Sequence, residues 1–212
     1  MGVQRSQSRR RTPRETARDA FRSSLREAAE QVFARAGFQA AKMSDIARGA
    51  GVAVGTLYNY FGSKEEIFQE IFVARSSEFH AELEPALERR SPSEQLARVV
   101  HTSLEYIDRH GALFAMFVER GLTAEYDIER IGGGVVDAEY VRFLRLLSQL
   151  VESAVKAGEL RSDVPAATMV AALSGAMNGA TYAWLKRRRR GRLSAAADDL
   201  LTLFLSGARS PS

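Results

Sequence analysis

Between Met43 and Glu66 the chain gathers side chains suited to gripping a nucleic-acid duplex: Thr56, Tyr58, Asn59, Tyr60 and Lys64, preceded by Val54 and Gly55. An amide such as that of Asn59 pairs with adenine, and a ring such as that of Tyr58 packs on a thymine methyl. The hydroxyls of Thr56 and Tyr60 and the ammonium of Lys64 suit phosphate oxygens. The small residues at Val54, Gly55 and Thr56 allow close approach to a base edge or a phosphate. At a helix start, free N–H groups and the dipole also favour an anion there.

Such a set needs a rigid short helix to present it, and the flanking residues predict one. Ile46 and Ala47 form the inward face of a first helix, and Gly51 can turn the corner at positive φ. Val52, Leu57 and Phe61 then supply the apolar spacing of a second helix. Two short helices joined by a tight turn match a helix-turn-helix, whose second helix lies in a major groove. Ser63-Lys64-Glu65-Glu66 reads as a capping box that opens the next helix. Upstream, Thr12-Pro13-Arg14-Glu15 is another helix start. From it Ala17, Phe21, Leu25, Ala28, Ala29, Val32 and Phe33 step at helical spacing until Gly37 ends the run. A two-helix corner inside a bundle that touches no DNA would satisfy the same spacing, with Tyr58 packed inside.

The match is longer than the motif. Gly37-Phe38, Ile46-Ala47, Gly51-Val52, Gly55-Thr56-Leu57-Tyr58, Tyr60-Phe61 and Ser63-Lys64-Glu65 together resemble the DNA-binding domain of the tetracycline repressor family of bacterial transcriptional regulators. The resemblance runs from Glu15 to Phe68. It implies an all-α fold, with an N-terminal three-helix DNA-binding domain and a C-terminal helical domain for ligand binding and dimerisation. It adds Lys42, where the family often has a threonine capping the first motif helix, and Ser44, where a longer polar side chain is common. Asn59 falls where the family varies its base-reading residue, so the operator sequence does not carry over.

Charge divides the same way. Residues 1–64 hold 12 Lys/Arg and 5 Asp/Glu, a balance of +7, whereas the remaining 18 and 21 give −3. A basic N-terminal unit on a mildly acidic body is the footprint of a nucleic-acid binder with a separate ligand or partner module. The expected division is a basic arm over 1–11, a helix-turn-helix domain over 12–68 and a ligand-binding and dimerisation domain over 69–212. The arm, with Arg5, Arg9, Arg10 and Arg11, reads either as a groove-grasping extension or as a solvated tail.

Other classes find little footing. The chain has no cysteine, hence no disulfide, thiolate nucleophile or Cys-ligated metal. His80, His101 and His110 lack metal-ligand spacing and a nucleophile partner. Gly132, Gly133 and Gly134 are not followed by the Lys-Ser/Thr of a phosphate loop. No catalytic residue, metal or cofactor is expected. The polar N-terminus and the lack of a long apolar run predict a cytoplasmic protein without a membrane segment.

The body reads as a series of amphipathic helices. One carries Ile67, Phe68, Ile71, Phe72, Phe79, Leu83 and Leu87, with Pro85 as its kink or end; another carries Leu96, Val99, Val100, Leu104 and Ile107, with Gly111 as punctuation. Tyr140, Phe143, Leu144, Leu147, Leu150, Val151 and Ala154 mark a further helix, ended by Gly158. In the next, Ala171, Gly175, Gly179 and Ala183 recur at four-residue spacing. Glycine inside a helix costs ~1 kcal/mol relative to alanine, so two in one seam imply a packing reason. That seam fits either tight packing within one chain or, as the family resemblance implies, a homodimer face shared with Leu147 and Val151 of the preceding helix. Phe114, Met116, Phe117, Tyr126, Phe143 and Tyr182 are the candidates to line a pocket for a small apolar or amphipathic effector. Lys186-Arg187-Arg188-Arg189-Arg190-Gly191-Arg192 reads as a helix end, its cations opposite the negative pole of the dipole. The expected protein is a dimeric repressor released from a palindromic operator by its effector. A DNA-associated structural protein without effector and a helical enzyme are the alternatives.

Overall fold

The computed structural model describes residues 12–88, 90–121, 134–187 and 190–208, with the side chains of 112–121 and 135–137 outside the description. The architecture is all-α, with eight α-helices among the described residues. Two compact units divide the chain, one ending at Phe68 and one beginning at Gln69.

The first unit holds α1 (Pro13–Ala40), α2 (Met43–Gly49), α3 (Val54–Tyr58) and the opening turn of α4 (Lys64–Leu83). Thr12 and Glu15 form the expected reciprocal cap. The Glu15 amide donates to Thr12 Oγ1 at 3.3 Å, and the Thr12 amide donates to Glu15 Oε2 at 2.7 Å. Gly37 bends α1 rather than ending it: its φ is 73°, yet one more turn follows to Ala40. The buried ring of Phe38 anchors that turn, 5.2 Å from the rings of both Phe33 and Phe68.

Gly51 turns the corner between α2 and α3 at φ 69°, with the Val52 amide donating back to the Ala47 carbonyl at 2.9 Å. That closure satisfies carbonyls α2 would otherwise leave bare. Leu25, Ala29, Ile46, Ala47, Leu57 and Ile67 are completely buried and form the centre of this unit with Phe33 and Phe61.

The second unit continues α4 to a 3₁₀ turn at Glu84–Leu87, where Pro85 stops the α-helical ladder. Then come α5 (Pro92–Gly121), α6 (Val135–Lys156), α7 (Ala166–Lys186), a 3₁₀ turn (Leu193–Ala196) and α8 (Ala197–Ala208). The break expected at Gly111 is a bend one residue earlier, at His110 (φ −110°, ψ 21°), within α5. Gly158 ends α6 at φ 73°, and the Glu159 amide closes onto the Ala154 carbonyl at 2.9 Å.

Leu96, Val99, Val100 and Leu104 of α5, Leu147, Val151 and Ala154 of α6, and Leu173 of α7 are wholly buried against one another. Asp108 ties α5 to the second 3₁₀ turn, accepting the amides of Leu193 at 2.6 Å and Ser194 at 2.9 Å. Burial opposes this carboxylate's charge, yet the hydrogen bonds from Ser194 and Leu193 hold its pKa below the usual value. After α7 the Trp184 indole N–H donates to the Gly191 carbonyl at 3.0 Å, closing the basic loop. Arg188 and Arg189 of that loop, and the arm with Arg5, Arg9, Arg10 and Arg11, lie outside the described residues. No helix among the described residues is long and apolar enough to cross a membrane.

Candidate nucleic-acid interface

A five-residue helix has one side chain with which to anchor itself, and in α3 it is Leu57, at 0% exposure. Burying Leu57 turns the opposite face outward. Val54 is 39% and Tyr58 53% exposed, and Gly55 and Asn59 are exposed beside them. Positions four apart share a face, so Val54 lies with Tyr58 and Gly55 with Asn59. Tyr58 therefore stands outside the domain core, against the alternative that packs it inside. A Cβ added at Gly55 would meet nothing within 4 Å. Packing among the described residues does not require that glycine.

The remaining candidates fall into three groups. Lys42 and Ser44 are exposed at the start of α2, where Lys42 is the cap residue without a side-chain cap bond. Its carbonyl instead takes the amides of Asp45 at 2.9 Å and Ile46 at 3.2 Å. Thr56 is half-buried. The Tyr60 ring packs edge-on to Phe21 at 5.2 Å, with the Arg18 guanidinium 5.9 Å from its centroid. The Tyr60 ring is thus held by α1 and half-buried.

Lys64, expected on a phosphate, makes its hydrogen bonds within its own unit. Its Nζ donates to the carbonyls of Phe38 at 3.0 Å, Gln39 at 3.1 Å and Ala41 at 3.2 Å, and lies 4.7 Å from the centroid of the Phe38 ring. An ammonium has three protons, and three carbonyls occupy them. The helix-capping signal at Lys64 is real but modified. Ser63 Oγ accepts the Glu66 amide at 3.2 Å, whereas the Glu66 carboxylate takes the Gly62 amide at 2.7 Å instead of that of Ser63. Arg22 draws the same carboxylate at 3.1 Å.

In the body, the seam of Ala171, Gly175, Gly179 and Ala183 faces outward on α7. Among the described residues, a Cβ on Gly175 or Gly179 would meet nothing within 4 Å, so packing against these residues does not account for the glycines. Leu147 and Val151 do not belong to that outer face: both are at 0% exposure in the core of their own unit. The exposed residues of α6 include Tyr140, Val141, Arg142, Arg145, Gln149 and Glu152. Tyr140, expected in the apolar stripe of α6, is 44% exposed and instead joins α6 to α7 on the outer side, the Asn178 amide donating to its hydroxyl at 3.1 Å. Sequence reasoning passed over Asn178, a lone amide with no periodic neighbour to mark it.

Of the proposed pocket residues, Phe143 is half-buried against Phe79, ring centroids 5.7 Å apart. Tyr182 is 37% exposed with Lys186 over its ring, on the outer side of α7 one turn beyond Gly179. It belongs with the exposed seam and not with an interior pocket. Phe114, Met116 and Phe117 lie on α5 with their side chains outside the described residues, as does Tyr126 altogether. Each histidine has a local neighbour: His80 sits 3.0 Å from Glu139, His101 3.0 Å from Asp198, and the His110 ring stacks 4.3 Å from that of Tyr106. Among the described residues no cluster of His, Asp and Glu could hold a metal ion.

A basic unit that buries one face of a short helix and exposes the hydrogen-bonding other, followed by a separate helical body, defines a helix-turn-helix DNA-binding regulator. Residues 25–71 match the family model described as bacterial regulatory proteins, tetR family. The fatty acid metabolism regulator protein of Bacillus subtilis (strain 168) is 27% identical over 186 residues, which span 85% of this chain and 92% of that one. The crystal structure of the transcriptional regulator FadR from Bacillus subtilis in complex with stearoyl-CoA superposes with a TM-score of 0.74, at 22% identity, over 87% of this chain and 98% of the other. The ketosteroid transcriptional regulator KstR2 of Mycobacterium tuberculosis gives 0.70 at 21% identity, covering 90% and 95%. At these identities the two structures speak for the fold. Residues 25–71 form a DNA-binding domain of the tetracycline repressor (TetR) family of bacterial transcriptional regulators, and the chain that carries it is a DNA-binding regulator, not an enzyme.

Proposed function

We propose that this chain is a homodimeric repressor, held on a palindromic operator and released when an apolar or amphipathic effector occupies the body. The observation that carries this reading is the pair of outward faces left open for something outside the chain: Gly55, Tyr58 and Asn59 on α3, and Gly175 and Gly179 on α7. A twofold dimer that reads a palindrome places its two recognition helices in major grooves about 34–36 Å apart or a multiple of it. Operator binding also sets the working compartment, the cytoplasm that holds the chromosome.

The effector class is taken from the relatives. One is a fatty acid metabolism regulator, one has been crystallised with stearoyl-CoA, and one is a ketosteroid regulator. An elongated acyl thioester is the first candidate for this chain, with Phe143 and the α5 segment bearing Phe114, Met116 and Phe117 as apolar lining. Such a ligand releases DNA only through unequal affinity for the DNA-competent and DNA-incompetent forms. The test begins with duplexes enriched from a randomised library by the full-length protein, followed by titration of the complex with stearoyl-CoA, stearate and a ketosteroid. Saturable release by one of them is expected. A protein that enriches a palindrome and is released by none would be a DNA-associated protein without an effector of these classes.

A further inference from the structure

By charge alone Lys64 and Arg22 would both be counted among the groups that grip DNA. Their geometry says otherwise. Lys64 Nζ gathers the carbonyls of Phe38, Gln39 and Ala41 at 3.0–3.2 Å, immediately before α2 begins. These belong to the last turn of α1 and the residue after it, where carbonyls lack helical partners and the dipole is negative. At the other end of the motif, Arg22 Nη1 donates to the Tyr60 carbonyl at 2.7 Å, just beyond α3. Its Nη2 holds Glu66 Oε1 at 3.1 Å, its guanidinium lies 4.3 Å from the centroid of the Phe61 ring, and Glu66 Oε2 accepts the Gly62 amide. One cation thus fixes the inlet of the helix-turn-helix and another its outlet.

Such restraint is needed because α3 cannot hold itself. It has five residues, Ala53 as a cap without a side-chain bond, and only Leu57 buried. A helix this short is unstable alone, and base readout tolerates displacements of only about 0.5 Å. We infer that Lys64 and Arg22 are positioning residues, which hold the two motif helices at the angle that lets Tyr58 and Asn59 read bases, and that neither is a phosphate contact. This rests on the operator-binding reading above.

The experiment has two arms, both on the full-length protein. In the first, the wild type is acylated in the absence of DNA, and the rates at its four lysines, Lys42, Lys64, Lys156 and Lys186, are compared by peptide mass. An ammonium held by three carbonyls should react at least ~10-fold more slowly than exposed Lys42, since even one hydrogen bond to a charged group is worth about that factor. Equal rates at Lys42 and Lys64, with Lys64 protected only after a duplex is added, would overturn the inference.

The second arm measures salt dependence for Lys64→Met, Lys64→Arg, Arg22→Met and Arg22→Lys, on a duplex enriched by the wild type and on its scrambled form. Positioning residues should leave the slope of log affinity against log salt unchanged, lower affinity for the enriched duplex by ~10-fold, and spare the scrambled one. Lys64→Arg and Arg22→Lys should not restore binding. A planar fork does not match three converging carbonyls, and one ammonium does not span the Tyr60 carbonyl and Glu66. A slope shallower by about 1.8, two contacts per dimer at ~0.9 each, or full rescue by Lys64→Arg, would make Lys64 a phosphate contact after all. If a methionine variant fails to fold, the acylation rates decide. If the wild type enriches no duplex, the operator reading fails, while the acylation rates still judge the clamp.

Discussion

Gly55 in α3 and Gly179 in α7 share an oddity: each is a helical glycine whose missing side chain would touch nothing in its own unit. The helices around them could hardly differ more. α3 has five residues and one buried side chain, and takes its pose from Arg22, Lys64 and the core beneath it. α7 has 21 residues, with Met169, Val170, Leu173, Met177 and Trp184 rooted in the body, so its outer seam is rigid without outside help. Glycine costs ~1 kcal/mol against alanine in either setting, and neither cost is offset within the unit. On the function proposed above, the open space over α3 takes a duplex and that over α7 a second copy. A short, tied helix suits reading, where geometry decides. A long, rooted one suits association, where area decides.

The largest effect should come from cutting the single root of α3. Leu57→Ala removes its only buried side chain, at a cost of ~2–5 kcal/mol. A thermal melt should show the first unit destabilised and DNA binding lost, while the helical signal of the body persists. Next is Gly179→Leu, which separates the two meanings of an open glycine. Within one chain it should stabilise α7 by up to ~1 kcal/mol, because leucine is the better helix former. In a dimer seam it overpacks the contact, for ~1–3 kcal/mol against association. Sedimentation should find monomers of undiminished helicity; a dimer of unchanged affinity would move the interface away from α7.

Gly55→Ala repeats the comparison on the other helix with a smaller group. The melting temperature should hold or rise, while affinity for an enriched duplex falls by ~1 kcal/mol or more as the methyl meets DNA. Unchanged affinity would mean that α3 approaches DNA by another face. The smallest effect is expected of Tyr58→Phe. If the ring rests on a thymine methyl, removing the hydroxyl of this exposed residue should shift binding by no more than ~0.5 kcal/mol in a competition assay.

What the sequence made legible was local. The Thr12–Glu15 box, the turn at Gly51 and the burial of Leu57 and Phe61 each follow from residues a few positions apart, and each is present. What it hid depended on partners far along the chain. Lys64 looks like any exposed cation until the carbonyls 23–26 residues upstream are brought beneath it. Leu147 and Val151 form an apolar stripe that serves a core as readily as an interface; only the packing of α5 and α7 against it decides for the core. The side of the helix on which Tyr182 stands is hidden for a similar reason. An aromatic residue on a helix of alanines and glycines has no periodic neighbour to say which way it points. Glu66 reached past Ser63 to the Gly62 amide, with Arg22 on its other oxygen, a competition that a four-residue motif does not contain.

The central claim is that the outer face of α3 reads sequence, and Asn59→Ala tests it most directly. Wild type and variant, both full length, are titrated across a range of salt concentrations with the duplex the wild type enriches and with a scrambled duplex. The account predicts an unchanged salt slope, an unchanged affinity for the scrambled duplex, and a loss of about 1–3 kcal/mol of discrimination for each base pair that Asn59 reads. Parallel losses on both duplexes would contradict it, because they would make Asn59 a support for general DNA contact and put base reading on another part of the chain.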